Sequence, residues 1–157
     1  FDIKRWNNEI SVGLTGALIC TKIFGTEMSQ NKSGVIINIA SDLGIIAPNQ
    51  TIYKIDNKNQ QNVKPVSYSV VKHGLIGLTR YTSTYWAKDG IRCNALAPGG
   101  VYTNQSSVFV NQLKKLISLN RMAHVDEYQA TLIYLCSDAS SYMNGAVISV
   151  DGGRTAW

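Results

Sequence analysis

The stretch Tyr68-Ser69-Val70-Val71-Lys72 decides how the rest of this 157-residue chain is interpreted. Residues four apart on a helix lie one above the other on the same face, so this spacing places the Tyr68 phenol beside the Lys72 ammonium. A phenol ordinarily titrates near pH ~10, and a neighbouring cation favours its ionised form. A phenol in that setting can take a proton from an alcohol or give one to a carbonyl oxygen.

The same spacing also occurs in amphipathic helices that merely expose a lysine, so the flanking segments must carry the interpretation. Ser41 directly follows the apolar run Val35–Ala40, which predicts a strand buried on both faces of a parallel sheet. A second buried strand is predicted at Ile91–Ala97, and the glycine-containing loop 98–103 follows it. In open α/β sheets the carboxyl ends of the strands face the ligand crevice, so Ser41 and this loop are expected to meet there.

Helical and strand patterns fill the remainder of the chain. Asp2 is a candidate cap for a long helix that reaches roughly Met28. We predict further helices at 67–87, 104–119 and 126–136, the second of them a short helix or two, and a last strand at 145–150.

In this order the segments resemble the short-chain dehydrogenase/reductase family along the whole chain, residues 1–157. The resemblance implies an α/β fold, the C-terminal part of a Rossmann-like doubly wound parallel sheet with its last three strands and flanking helices. It also implies that the family's first four strands, with their glycine-rich cofactor turn, are missing and that the chain is a truncated, partial domain. We therefore expect an exposed sheet edge and a chain that is poorly soluble or inactive by itself.

The resemblance assigns chemistry to particular residues. Ser41 would bind the reacting oxygen, Tyr68 would be the general acid and base, and Lys72 would favour the phenolate and hold the nicotinamide ribose. The cofactor would be NAD or NADP, and the choice between them is not readable here. Its expected contacts are Tyr68, Lys72, Pro98, Gly99, Gly100, Val101 and Thr103.

One position departs from the family pattern. Gly13 stands where the family commonly has an Asn that helps to hold a water of the proton relay. Either the relay runs through water and backbone alone, or catalysis is weakened. A glycine here is also typical of a close contact between helices, and both interpretations can hold together.

A long polar segment at 45–66 separates Ser41 from Tyr68, which stand much closer together in the family. Since it joins two expected catalytic residues, the segment should lie at the rim of the active site. Long loops of this kind are functional or disordered. Its amides and lysines suit hydroxyls and phosphates, so we weigh substrate recognition against a solvated flap.

The substrate is less defined than the reaction. The insert, the segments 121–123 and 137–142, and the ending from Asp151 to Trp157 resemble a bacterial subgroup linked to flagellin modification and surface-polysaccharide synthesis. That resemblance implies a sugar or nucleotide-sugar substrate. The alternatives are a 3-oxoacyl or small-alcohol reductase, and a non-catalytic relative that serves as an interaction subunit.

Composition excludes several other classes of function. The net charge is +5 without a basic stripe that carries interleaved aromatics, which argues against nucleic-acid binding. No run of 18 apolar residues predicts a membrane span. Cys20, Cys93 and Cys136 each lie in an apolar segment and are expected to be buried thiols of a cytoplasmic protein, and His73 and His124 lack metal-site spacing. The family resemblance implies a homo-oligomer, a dimer or a tetramer.

Overall fold

A computed structural model describes residues 1–53 and 63–157. Three parallel strands form one sheet with helices on its faces, which confirms the predicted α/β architecture. In chain order and in spatial order the strands are β1 (Gly34–Ile39), β2 (Ile91–Pro98) and β3 (Val147–Val150). The helices are α1 (Ile3–Ile10), α2 (Gly16–Gln30), α3 (Val66–Tyr85), α4 (Ser107–Leu113) and α5 (Gln129–Cys136).

The central strand β2 carries the core of the sheet. Ala95 and Ala97 on one face and Asn94 and Leu96 on the other are at most 2% exposed, as a strand covered on both faces requires. β1 is different: most of its residues are only partly buried, and Ile39 is 46% exposed. The prediction that 35–40 is buried on both faces is therefore correct only in part. Asn38 and Ala40 are buried, whereas the other residues are more exposed because β1 pairs with β2 on one side only and forms an edge of the described sheet.

The first helix forms as the sequence predicts and continues to Gln30. The Asp2 carboxylate accepts from the backbone N–H of Lys4 at 2.9 Å and of Arg5 at 3.3 Å, which satisfies two donors of the first turn. The helix is interrupted by a five-residue π-helical turn at Ser11–Thr15, which joins α1 to α2.

Gly13 lies within this π-helical turn and faces α3. A Cβ at that position would lie 2.7 Å from Cγ1 of Val71, closer than two carbon atoms can approach. The structure therefore supports the interpretation of Gly13 as a close helix–helix contact. An Asn side chain at this position would have to displace Val71, the residue directly before Lys72.

We expect Gly13→Ala to lower the free energy of unfolding by about 1–3 kcal/mol, because the methyl group overpacks against the stiff Val71 side chain. Urea denaturation of the full-length protein measures this. In a Val71→Ala background the added cost of Gly13→Ala should nearly disappear, since the collision is removed. An equal cost in both backgrounds would show that the contact is not the cause.

Buried polar side chains hold the sheet to the elements around it. Asn94 is fully buried; its Oδ1 accepts from the Ala146 N–H at 2.9 Å and its Nδ2 donates to the Met143 carbonyl at 2.9 Å. These bonds place the segment that leads into β3. On β1, Asn38 donates to the Thr79 hydroxyl of α3 at 2.9 Å, which fixes this helix on the sheet.

The cysteines only partly match the expectation. Cys93 is buried on β2, and burial raises the pKa of its thiol to about 11. Cys20 and Cys136 are exposed, so the prediction of three buried thiols is wrong for these two, which lie on the outer faces of α2 and α5.

Within 1–53 and 63–157, no helix combines the length and the apolar character that crossing a membrane requires.

Candidate active site

Ser41, Tyr68 and Lys72 line one cavity of about 360 Å³ at the carboxyl ends of β1 and β2. The loop after β2 forms the opposite wall, where Pro98, Gly99, Gly100 and Val101 lie. The structure thus brings together the side chains that the sequence separates by up to 60 positions. This is the edge where parallel α/β sheets place their ligands.

Ser41 is held by the turn that follows it. The Ser41 hydroxyl donates to Oδ1 of Asp42 at 2.7 Å and accepts from the Leu43 N–H at 3.1 Å, so the side chain caps the short 3₁₀ turn Asp42–Gly44. Ser41 is only 5% exposed. Both contacts fix the position of the hydroxyl, whose proton is donated to Asp42.

Tyr68 and Lys72 lie on successive turns of α3, near its start. The Lys72 Nζ lies 5.7 Å from the centroid of the Tyr68 ring and donates to the Ile39 carbonyl at 2.8 Å, at the end of β1. Burial lowers the pKa of Lys72, and the positive charge of Lys64 lowers it further. The lysine thus joins α3 to the strand that precedes Ser41.

A glycine allows the Ser41 turn to pack against this helix. A Cβ on Gly44 would lie 2.8 Å from the Lys72 carbonyl oxygen, a backbone atom that cannot rotate away. The distance between the Ser41 turn and the Tyr68–Lys72 segment is therefore set by the absence of a side chain at Gly44.

We expect Gly44→Ala to lower kcat of the full-length protein by about 10- to 100-fold, because it pushes Ser41 away from Tyr68, and misplacements of about 1 Å carry costs of this size. Steady-state kinetics measure the effect. Gly77→Ala on the same helix is the matched control: a Cβ there meets nothing within 4 Å, so turnover should stay normal. Equal kinetics for Gly44→Ala and wild type would refute the packing argument.

The loop after β2 is organised by a residue that the sequence analysis missed. The Gln105 side chain accepts from the Thr103 N–H at 2.8 Å and donates to the Val101 carbonyl at 2.8 Å and the Thr103 hydroxyl at 2.9 Å. Gln105 lines the cavity, whereas Thr103 is exposed and does not. Thr103 was predicted to contact the cofactor together with four other residues of this loop. It lies outside the cavity that those four residues line.

A buried ion pair also lines the cavity and was not anticipated. The Arg154 Nε lies 3.0 Å from Oδ2 of Asp42, and both side chains are at most 8% exposed. Asp42 thus contacts Ser41 with one oxygen and Arg154 with the other. No local pattern indicates this pair, because Arg154 comes from the segment after β3.

The described ends of the polar insert reach the same cavity. Tyr53, at the end of the 3₁₀ turn Gln50–Tyr53, and Lys64 are among its lining residues. The amide-rich middle of the insert, 54–62, lies outside the described residues. Its placement at the rim of the active site stays a prediction.

An apolar wall completes the cavity. Leu113 of α4 packs with Ile52, Ile117 and Met122 in one buried cluster, against which Phe109 also lies. Leu113, Phe109 and Met122 line the cavity.

Within the described parts of the chain, no three His, Cys, Asp or Glu side chains are arranged to hold a metal ion.

The sheet is parallel, and Ser41, Tyr68 and Lys72 meet a glycine-containing loop in a cavity at the carboxyl ends of its strands. This combination is typical of the class of short-chain dehydrogenases and reductases. A family model described as enoyl-(acyl carrier protein) reductase matches residues 1–155. The chain belongs to the short-chain dehydrogenase/reductase family.

Solved structures agree with this assignment. A short-chain dehydrogenase from Leptospira borgpetersenii with bound NAD⁺ superposes with a TM-score of 0.90 at 28% identity, over 99% of this chain and 58% of the other. A gluconate 5-dehydrogenase from Burkholderia cenocepacia, in complex with NADP and tartrate, gives a TM-score of 0.87 at 28% identity, over 100% and 58%. The structural neighbours thus carry NAD⁺ or NADP.

Two curated relatives differ in their substrates. The cis-4-hydroxycyclohexanecarboxylate dehydrogenase of Sinomonas cyclohexanicum is 33% identical, over 99% of this chain and 58% of the relative. The 3-oxoacyl-[acyl-carrier-protein] reductase FabG of Aquifex aeolicus is 32% identical, over 94% and 56%. The chain therefore spans somewhat more than half the length of these relatives.

The residues present fit one end of such a dinucleotide. Lys72 offers an ammonium donor to the cavity, and the loop 98–101 brings its backbone to the same cavity without bulky side chains at Gly99 and Gly100. This donor set suits the nicotinamide and its ribose. A helix N-terminus with a glycine-rich turn, the usual partner of the diphosphate, does not occur at this cavity among the described residues.

Proposed function

We propose that the full-length protein is an NAD(P)-dependent oxidoreductase that interconverts an alcohol and a carbonyl. The observation that carries the proposal is the convergence of Ser41, Tyr68 and Lys72 on one cavity beside the loop 98–101. A scaffold protein has no need of these three side chains in one cavity, so the convergence disfavours the non-catalytic alternative. The cofactor supplies or accepts the hydride when it is bound.

The side chains of this chain would handle the oxygen and its proton. Ser41, oriented by Asp42, would hold the reacting oxygen of the substrate. Tyr68 would accept the proton of the alcohol or return it to the carbonyl oxygen. Lys72 would keep positive charge beside the phenol and donate to the nicotinamide ribose. Phe109 and Leu113 would exclude water from the apolar side of the cavity.

For the substrate we propose a sugar or nucleotide sugar used in surface-glycan synthesis, such as flagellin modification. The insert and the chain's last residues resemble a bacterial subgroup linked to flagellin modification and surface-polysaccharide synthesis, which supports this proposal. The structural likeness to a gluconate 5-dehydrogenase supports it as well. The second candidate is a 3-oxoacyl or small-alcohol reductase, which the likeness to the Aquifex reductase favours.

The test is turnover by the purified full-length protein, followed through the nicotinamide absorbance with NAD and with NADP. The panel contains sugars, sugar acids, nucleotide sugars, small alcohols and 3-oxoacyl thioesters. Turnover of a member of the sugar groups, with none of the thioesters, supports the first substrate class. The reverse pattern supports the reductase. No turnover of any member with either cofactor would contradict the proposed reaction.

We also propose that the full-length protein is a cytoplasmic homo-oligomer, a dimer or a tetramer. Large apolar side chains are exposed on α2 and α3, and such surfaces suit contacts between subunits. They include Leu18, Ile19, Ile23, Phe24, Tyr81 and Tyr85. Light scattering of the full-length protein measures the assembly, and a monomer at micromolar concentration would contradict it.

A further inference from the structure

Lys64 holds a fixed place beside the catalytic phenol. Its Nζ lies 3.7 Å from the centroid of the Tyr68 ring, within the range of a cation–π contact. The Gln50 side chain binds the Lys64 backbone on both sides: its Oε1 accepts from the Lys64 N–H at 2.9 Å and its Nε2 donates to the Lys64 carbonyl at 3.1 Å. The lysine is thus anchored although it borders the insert.

The charges around the cavity do not balance among the described residues. Lys64, Lys72 and Arg154 are the cations of the lining and Asp42 is its carboxylate, which already pairs with Arg154. No ion pair or side-chain hydrogen bond to Lys64 Nζ is formed within 1–53 and 63–157. Burial lowers the pKa of Lys64, while the negative charge of Asp42 acts in the opposite direction.

A half-buried ammonium with no carboxylate partner among the described residues is costly, and an anion that enters the cavity removes that cost. The two lysines are expected to bind different groups, one on the cofactor and one on the substrate. Lys72 is the residue assigned to the cofactor ribose and already donates to the Ile39 carbonyl. Lys64 lies on the face of the Tyr68 ring and is left to meet the substrate.

We infer that the substrate carries a carboxylate and that Lys64 is the residue that binds it. The inference rests on the proposed function and deepens it by naming the chemical class of the substrate. Since Lys64 contacts the ring of the proposed general acid and base, the anionic group and the reacting hydroxyl must lie only a few bonds apart. A small hydroxy acid, such as a sugar acid, meets this condition.

Equilibrium binding tests the inference separately from turnover. The full-length protein, saturated with cofactor, is titrated by calorimetry with two matched pairs of probes. Gluconate is compared with glucitol, which replaces the carboxylate by an uncharged hydroxymethyl group. Glucose 6-phosphate is compared with glucose, which tests phosphate as the source of the oxyanion.

Wild type is expected to bind gluconate about 10- to 100-fold more tightly than glucitol, the range of one hydrogen bond to a charged group. Lys64→Met should remove most of this preference, and Lys64→Arg should keep part of it. Lys88→Met is the matched control and should keep all of it, since Lys88 is exposed at the opposite, amino end of β2. Raised salt should weaken gluconate binding more than glucitol binding.

Three results would overturn the inference. One is equal binding of the charged and uncharged member in both pairs. Another is a loss in Lys64→Met that is equal for gluconate and glucitol, with a shifted pH profile of turnover, because Lys64 would then serve Tyr68. The third is a Lys64-dependent preference for glucose 6-phosphate alone, which would show that the group bound by Lys64 is a phosphate and not a carboxylate. Binding that follows Lys64 without any turnover would leave this inference standing and contradict only the proposed reaction.

Discussion

Replacement of Tyr68 by Phe in the full-length protein is expected to lower kcat by about 10²- to 10⁴-fold, the range that a positioned proton donor and acceptor contributes. The ring stays, so its contacts with the ammonium groups of Lys64 and Lys72 are kept, while the hydroxyl that moves the proton is lost. The affinity for the cofactor should change little, because Lys72 and the loop 98–101 are untouched. Steady-state kinetics and a fluorescence titration with NADH or NADPH measure the two quantities.

The control for this variant lies on the same helix. Tyr81 is 65% exposed and stacks on Tyr85, so Tyr81→Phe makes the same chemical change away from the cavity and should leave kcat unaltered. Near-normal turnover of Tyr68→Phe would exclude Tyr68 as the acid and base. A similar loss in both variants would point to damage of α3 instead of lost proton transfer.

Removal of Arg154 is expected to have the largest effect on stability. Arg154→Met leaves the buried Asp42 carboxylate without its cation, and breaking a buried pair from one side costs about 3–5 kcal/mol of unfolding free energy. The loss should extend to catalysis, because the same carboxylate accepts the hydrogen bond that orients Ser41. Urea denaturation and steady-state kinetics of the full-length protein check both results.

The double variant Asp42→Asn with Arg154→Met separates the pair from its parts. Asn keeps an oxygen that can accept from Ser41 and from the Leu43 N–H, and no charge is left buried, so much of the lost stability should return. Arg80→Met, at an exposed position of α3, is the control and should change stability by less than about 0.5 kcal/mol. Additive costs in the double variant would show that the two side chains do not depend on each other.

The site residues that sequence reasoning located are those tied to regular elements. Tyr68 and Lys72 are one helical turn apart, so helix geometry alone places them together. Ser41 and Gly99 lie within two residues of the ends of parallel strands, whose carboxyl ends share one edge of the sheet. A short-range pattern and one rule of sheet topology are sufficient for these positions.

Other residues of the cavity were not predicted from the sequence, because no local pattern distinguishes them. Arg154 reaches Asp42 from the segment after β3, and Lys64 reaches Tyr68 from an insert whose length is unusual for the family. Gln105 acts through bonds within a loop that has no regular pattern. Contacts of this kind depend on distances between segments that the sequence does not specify.

The α/β class, the order of the elements and the family could be predicted from the sequence, because hydrophobic periodicity and short motifs act over neighbouring residues. The same holds for the three side chains expected to perform the chemistry. The folded structure was needed to show which charges meet at the cavity, where a close approach requires glycine, and which strand lies at an edge. Ion pairing and close packing depend on the separation of residues in space, and folding sets that separation independently of their distance along the chain.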